Sequence, residues 1–184
     1  MSPEEPSVVS RIPLANARGS QSPILSRDRE GAVLKSYAEN PTSILFRVAT
    51  PSVSRREIRT FAERLGAGVA AGRAFCCLVT SDRELRRLNR DFRENDYSTD
   101  VLSFPAIKPN GFLGEIAISF PRARQQATQY GHGVGQEIEI LMLHGLLHLL
   151  GMDHESDRGR MARAERKWRA ALGLPLGLIE RVRR

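Results

Sequence analysis

The sequence predicts an α+β fold: a single domain with a mixed sheet of about four strands and about five helices packed on it. Three observations carry this. Short β-branched and aromatic runs alternate with amphipathic stretches through the middle of the chain, the last third is helical in pattern, and no internal repeat is present. At 184 residues, 41% hydrophobic and 27% charged, the chain suits one compact domain and is neither a disordered polyelectrolyte nor a membrane protein.

Residues 1–43 read as a loosely ordered extension, rich in Ser, Pro, Gly and Asn with five prolines and no sustained apolar period. The domain proper is read as 44–184. Its first strand is SILFRVA (43–49). RREIRTFAERLGAG follows as a helix, with Ile58, Phe61, Ala62 and Leu65 at helical spacing and Gly66 and Gly68 as its stop. RAFCCLVT (73–80) is a second, buried strand. Ser81 or Asp82 then caps a helix whose Leu85, Leu88 and Phe92 share one face.

DVLSFP is a short strand closed by Pro105, and GEIAIS, beyond a Pro/Gly loop, is the fourth. Pro121 suits the first turn of a helix that runs to about Tyr130. From Gln136 to Leu150 the pattern is apolar nearly all round, which marks a core helix too short to span a bilayer. The last helix, Ser156 to Leu172, is amphipathic, with Met161, Ala164, Trp168 and Leu172 near one stripe.

Charge agrees with a polyanionic partner without identifying one. The net charge is +7, with 25 Arg and 3 Lys, and guanidinium forks well onto phosphate oxygens. Five basic and five acidic residues cancel in the extension, so the whole excess belongs to 44–184. The adjacent Cys76 and Cys77 close no useful loop and lack a metal-binding spacing, which points to a reducing compartment. With no secretory pattern near Met1 and no membrane span, a cytoplasmic location is expected.

The segment HGLLHLLGMDH (144–154) carries the chemistry. His144 and His148, four apart on a helix, present both imidazoles on one face. Gly151 can end that helix in the left-handed conformation, after which His154 can complete a triangle. Three imidazoles with an open coordination position are a catalytic zinc arrangement, whereas burying them without partners would cost about 1 to 3 kcal/mol each. The spacing also matches the metzincin peptidase signature in its three His and one Gly. Gly145, however, stands where the peptidases place the Glu that takes a proton, and Met161 falls in a helix, where it makes no Met turn.

LNRDFRENDYSTDVLSFP, LGEIAIS and HGLLHLLGMDH, in that order along the chain, closely resemble three blocks of the YbeY family of bacterial single-strand-specific endoribonucleases. The likeness spans about residues 44 to 175 and departs at Glu115, where the family usually has Asp. It implies a zincin-like fold and a zinc-dependent hydrolase that acts on RNA, in maturation of the 3′ end of small-subunit (16S) rRNA and in ribosome quality control. Its implied partners are rRNA, the small ribosomal subunit and a ribosomal protein or assembly GTPase, with no membrane or DNA. By position, His144, His148 and His154 resemble the Zn2+ ligands, Arg93 the arginine of the active-site groove, and Glu115 the strand carboxylate.

These residues suit that chemistry. Arg93 could stabilise charge on non-bridging phosphate oxygens, and Glu115 could orient water or take its proton. An alternative for Arg93 is a solvated helix-end charge, and for Glu115 an edge-strand charge that prevents outward pairing. Direct attack by water and attack by the ribose 2′-OH both remain open, as does a non-catalytic ribosome-assembly role. Asp153 could accept from an imidazole or simply shape a turn, and His132 reads as a loop residue. Ser103 and Phe104, in the resembling block, could shape the groove, though a strand-end Ser and a core Phe explain them adequately. Arg158, Arg160, Arg163, Arg166 and Arg169 read as a solvated surface spread around the last helix rather than one phosphate track.

Overall fold

Four strands and five helices follow one another among the described residues, 42–107, 111–154 and 156–175, of this computed structural model. Strand β1 (Thr42–Phe46) opens two residues before the expected domain boundary, so Thr42 and Ser43 belong to the sheet; the rest of the expected extension lies outside the described residues. Helix α1 (Arg55–Ala67) is capped by the Ser54 hydroxyl, which accepts from the Glu57 amide, and it buries Ile58, Phe61, Ala62 and Leu65. It runs through Gly66 and stops where the Gly68 amide bonds the Arg64 carbonyl.

Strand β2 (Ala74–Thr80) is buried from end to end. Helix α2 (Asp82–Arg93), capped by Ser81, buries Leu85 and Leu88. Phe92, expected on the same buried face, is instead 45% exposed and meets the Phe104 ring edge-on with centroids 5.7 Å apart. Strand β3 (Val101–Pro105), strand β4 (Phe112–Ser119) and helix α3 (Phe120–Tyr130), with Pro121 in its first turn, follow as expected.

Helix α4 (Val134–Leu149) is the core helix, and α5 (Arg160–Leu172) closes the described chain. Helix α5 starts four residues later than its sequence pattern suggests. The Asp157 carboxylate accepts from the amides of both Asp153 and Met161, which ties 153–157 into a turn and caps the helix from outside.

The sheet order is β1-β2-β4-β3, with β1, β2 and β4 parallel and β3 antiparallel to β4. Two apolar clusters flank it. Cys76, Leu78, Leu102 and Ala117 meet Leu85 and Leu88 of α2 on one face. On the other, Cys77, Val79, Ile116 and Ile118 meet α1, α3, α4 and α5 in a larger core. Each fully buried Leu or Ile there contributes about 1.5 to 3 kcal/mol. No helix among the described residues is long and apolar enough to cross a membrane.

Candidate metal centre

Helix α4 is apolar nearly all round because it is surrounded: every residue from Glu137 to Leu149 except Glu139 is buried. His144 and His148 lie within that run, 0% and 6% exposed. One helical turn separates them, and their Nε2 atoms approach to 3.1 Å. The helix then ends as its sequence suggests. Gly151 takes φ +76°, its amide bonds the His148 carbonyl, and the Met152 amide bonds that of Leu147. The reversal carries His154 back, so that its ring centroid lies 5.6 Å from that of His144 and 5.5 Å from that of His148. One ligand nitrogen from each of the three falls within 4.8 Å of the others.

Their hydrogen bonds decide what such a cluster can hold. His144 Nδ1 lies 2.9 Å from Glu165 Oε1, and His148 Nδ1 lies 3.0 Å from the Met152 carbonyl oxygen. An ionised carboxylate and a carbonyl only accept, so both Nδ1 atoms carry the proton. In the neutral rings both Nε2 atoms then present lone pairs to each other at 3.1 Å, an arrangement that is repulsive until a cation is shared between them. Burial, followed by the neighbouring His144 and His154, pushes the His148 pKa down to about 3, which keeps its ring in the neutral, ligating form. The donor set therefore fits a metal ion.

Glu165 is the residue that sequence reasoning missed. It is the only acid of α5 and is 2% exposed. A sequence signal did exist, because positions 161, 165 and 168 form one apolar stripe and a lone Glu within such a stripe needs a buried partner. Asp153, considered for this part, accepts from the Ser156 hydroxyl at 2.7 Å, which fits its reading as a turn residue. His132 sits at the α3–α4 turn, its Nε2 2.5 Å from Glu137 Oε2.

Gly145 explains why a peptidase-type Glu has no place here. A Cβ at this position would stand 2.9 Å from Ile116 Cγ2, 3.0 Å from Ser103 Oγ and 3.3 Å from Val101 Cγ2. The position faces the sheet, where α4 packs closely on β3 and β4, and Ser103 Oγ donates to the Gly145 carbonyl at 3.0 Å.

Arg93 ends α2 and donates from Nη2 to the Ser103 carbonyl oxygen at 2.9 Å, with its guanidinium 5.9 Å from the Phe104 ring centroid. Ser103 thus joins Arg93 on one side to the backbone beside His144 on the other. Burial draws the Arg93 pKa below its ordinary value, a direction partly opposed by Tyr97. Glu115 is 2% exposed, and β4 is an interior strand, so the edge-strand alternative for this charge does not apply. Glu115 is in register with Phe104 and has the parity of Ala117, on the α2 side; Ile116, of opposite parity, meets Gly145. The structure therefore brings the three histidines together on the α4 side and sets Glu115 with Phe104 across the sheet.

The family described as Endoribonuclease YbeY matches residues 51–173. A curated relative of that name from Solibacter usitatus is 61% identical over 141 residues, spanning 77% of this chain and 95% of its own length. Another, from Koribacter versatilis, is 45% identical over 139 residues, 76% of this chain and 91% of that protein. A solution structure from Thermotoga maritima aligns over 69% of this chain and 85% of its own, at 26% identity and a TM-score of 0.49.

Proposed function

This chain belongs to the YbeY endoribonuclease family, and from that membership we propose that it is a zinc-dependent endoribonuclease acting on single-stranded RNA in the cytoplasm. We assign its substrate as the 3′ region of small-subunit (16S) rRNA, in maturation and ribosome quality control, with the small subunit and a ribosomal protein or assembly GTPase as partners. The observation that carries this reading is the pair of Nε2 atoms 3.1 Å apart, each on a ring whose Nδ1 is already engaged.

His144, His148 and His154 would hold the ion, and Glu165 fixes the His144 ring and raises its basicity as a ligand. Zinc, when bound, supplies Lewis acidity that polarises a phosphoryl oxygen and activates water near neutral pH. Arg93 supplies fixed positive charge for the non-bridging oxygens of the reacting phosphodiester. Its bond to the Ser103 carbonyl limits its orientations, so the charge is held in place beside β3. Glu115 lies in register with Phe104, over whose ring Arg93 sits, and we assign it to positioning on the Arg93 side. The exposed Phe92 ring beside Phe104 suits a base that is free of a duplex.

The test is cleavage of a structured RNA with single-stranded segments by the zinc-loaded protein. Cleavage should vanish on chelation and in His148→Ala, and activity that survives both would overturn the metal mechanism. The cleaved 3′ ends separate the two routes, because a 2′,3′-cyclic phosphate arises only from 2′-OH attack.

A further inference from the structure

Helix α5 has two unlike faces. Its buried side supplies Met161, Ala162 and Glu165, the last of which holds His144. Its exposed side carries Arg160, Arg163, Arg166 and Lys167. Arg160, Arg163 and Lys167 stand at i, i+3 and i+7, which at 3.6 residues per turn gathers them into a strip about 60° wide and about 10 Å long. Since Glu165 is the only carboxylate of the helix and is buried, the strip carries no acidic side chain.

The arginines taken alone spread around the helix, as the sequence reading has them, and of that series Arg160 and Arg163 share the strip. Arg158 precedes the helix, and Arg169 turns to the segment after it, its Nη1 donating to the Leu174 carbonyl at 3.3 Å. Lys167, outside that series, completes the row.

The strip is also held near the metal centre. Glu165 Oε1 lies 2.9 Å from His144 Nδ1, and a helix with its side chains is about 10 to 12 Å across. The basic strip therefore stands roughly one helix diameter from the histidines. We infer that it is a docking track for the phosphodiester backbone of the same RNA strand whose scissile linkage lies at the triad. That identity of the strand rests on the nuclease reading above.

The chemistry of the strip is charge without base recognition. Arg and Lys here meet phosphates, and nothing in the row offers an acceptor for a base edge, so the track positions a strand whatever its sequence. An anionic membrane suits the helix less well. Its apolar side is packed into the core, and the other exposed positions, Ala170 and Ala171, offer little to insert.

The experiment compares the zinc-loaded full chain with a variant carrying Arg160→Gln, Arg163→Gln and Lys167→Gln. A charge-matched control carries Arg56→Gln, Arg59→Gln and Arg124→Gln, three exposed positions on α1 and α3. Fluorescence anisotropy reports binding of a labelled 20-nucleotide unstructured RNA between 50 and 300 mM KCl, gels follow its cleavage, and zinc content and melting temperature are recorded. Losing three phosphate contacts on a single strand should flatten the slope of log K against log salt by about 2, whereas the control keeps the wild-type slope. Cleavage of a dinucleotide, whose single phosphodiester cannot occupy the metal site and the strip together, should match wild type.

Equal slopes in wild type and the α5 variant, or an equal loss in the control, would overturn the track whether or not RNA is cleaved. Loss of binding to phosphatidylserine vesicles with RNA binding unchanged would overturn it in favour of a lipid surface. A flattened slope together with no cleavage by the wild type would leave the track standing and overturn the nuclease reading instead.

Discussion

Glu165 Oε1 lies 2.9 Å from His144 Nδ1, so a carboxylate on α5 orients an imidazole on α4 across 21 residues of sequence. Removing the acceptor frees the ring and leaves its buried Nδ1–H without a partner. Glu165→Ala should weaken zinc affinity about 10- to 100-fold, and Glu165→Gln, which keeps an acceptor oxygen but no charge, should fall between it and wild type. Competition against a chromogenic chelator measures this. Unchanged affinity in Glu165→Ala would show that the contact is packing alone.

Gly145 is a steric requirement of the α4–sheet interface. Alanine is a better helix former than glycine by about 1 kcal/mol, yet here its methyl would enter the space of Ile116, Ser103 and Val101. The clash involves the buried Ile116, the buried Ser103 hydroxyl held on the Gly145 carbonyl and the half-buried Val101, all on paired strands, and overpacking of this kind costs about 1 to 3 kcal/mol. Gly145→Ala should therefore lower stability by about 1 kcal/mol net in urea unfolding, and Gly145→Glu should fail to fold. Recovery of peptidase-like hydrolysis in a folded Gly145→Glu protein would contradict this account.

Much of this organisation is legible in the sequence, because local signals carry it. Apolar periodicity places α1 and α4, Ser81 marks the start of α2, and His144, His148 and Gly151 announce one face and the reversal that follows. The departures have tertiary causes. The start of α5 depends on Asp157 bonding backward to Asp153 and forward to Met161, which no periodicity encodes. Phe92 fits the helical stripe of Leu85 and Leu88, but those are the only apolar residues that α2 buries, and the Phe104 ring meets Phe92 from strand β3. The interior position of β4 follows from strand order, which local pattern does not determine.

Arg93 separates charge from geometry. Arg93→Lys keeps a cation at the end of α2 but loses the planar fork that bonds the Ser103 carbonyl while facing a phosphate. If the guanidinium stabilises the reacting phosphodiester, kcat on single-stranded RNA should fall about 100-fold in Arg93→Lys and further in Arg93→Ala. Zinc content should be unchanged, since neither substitution touches a histidine. A rise in KM with kcat intact would reassign Arg93 to binding of the strand.

Stability should depend on pH through Glu139, on α4 five residues before His144. Burial against α1, with a further push from Glu57 and an opposing pull from Arg64, raises its pKa from 4.5 to about 7. The folded state thus holds this proton more tightly than the unfolded chain. Below pH 4.5 both states are protonated and the residue costs nothing; as pH rises through 7 the folded protein must bear the ion, and that stability is lost. Since Glu139 is only partly buried, solvent screening reduces the effect to about 1 kcal/mol. Glu139→Gln should raise stability by that amount at pH 8 and leave it unchanged at pH 4, as measured by urea unfolding of the two proteins across this range. A variant that is destabilised at pH 8 would mean that the ionised carboxylate, paired with Arg64, favours the fold.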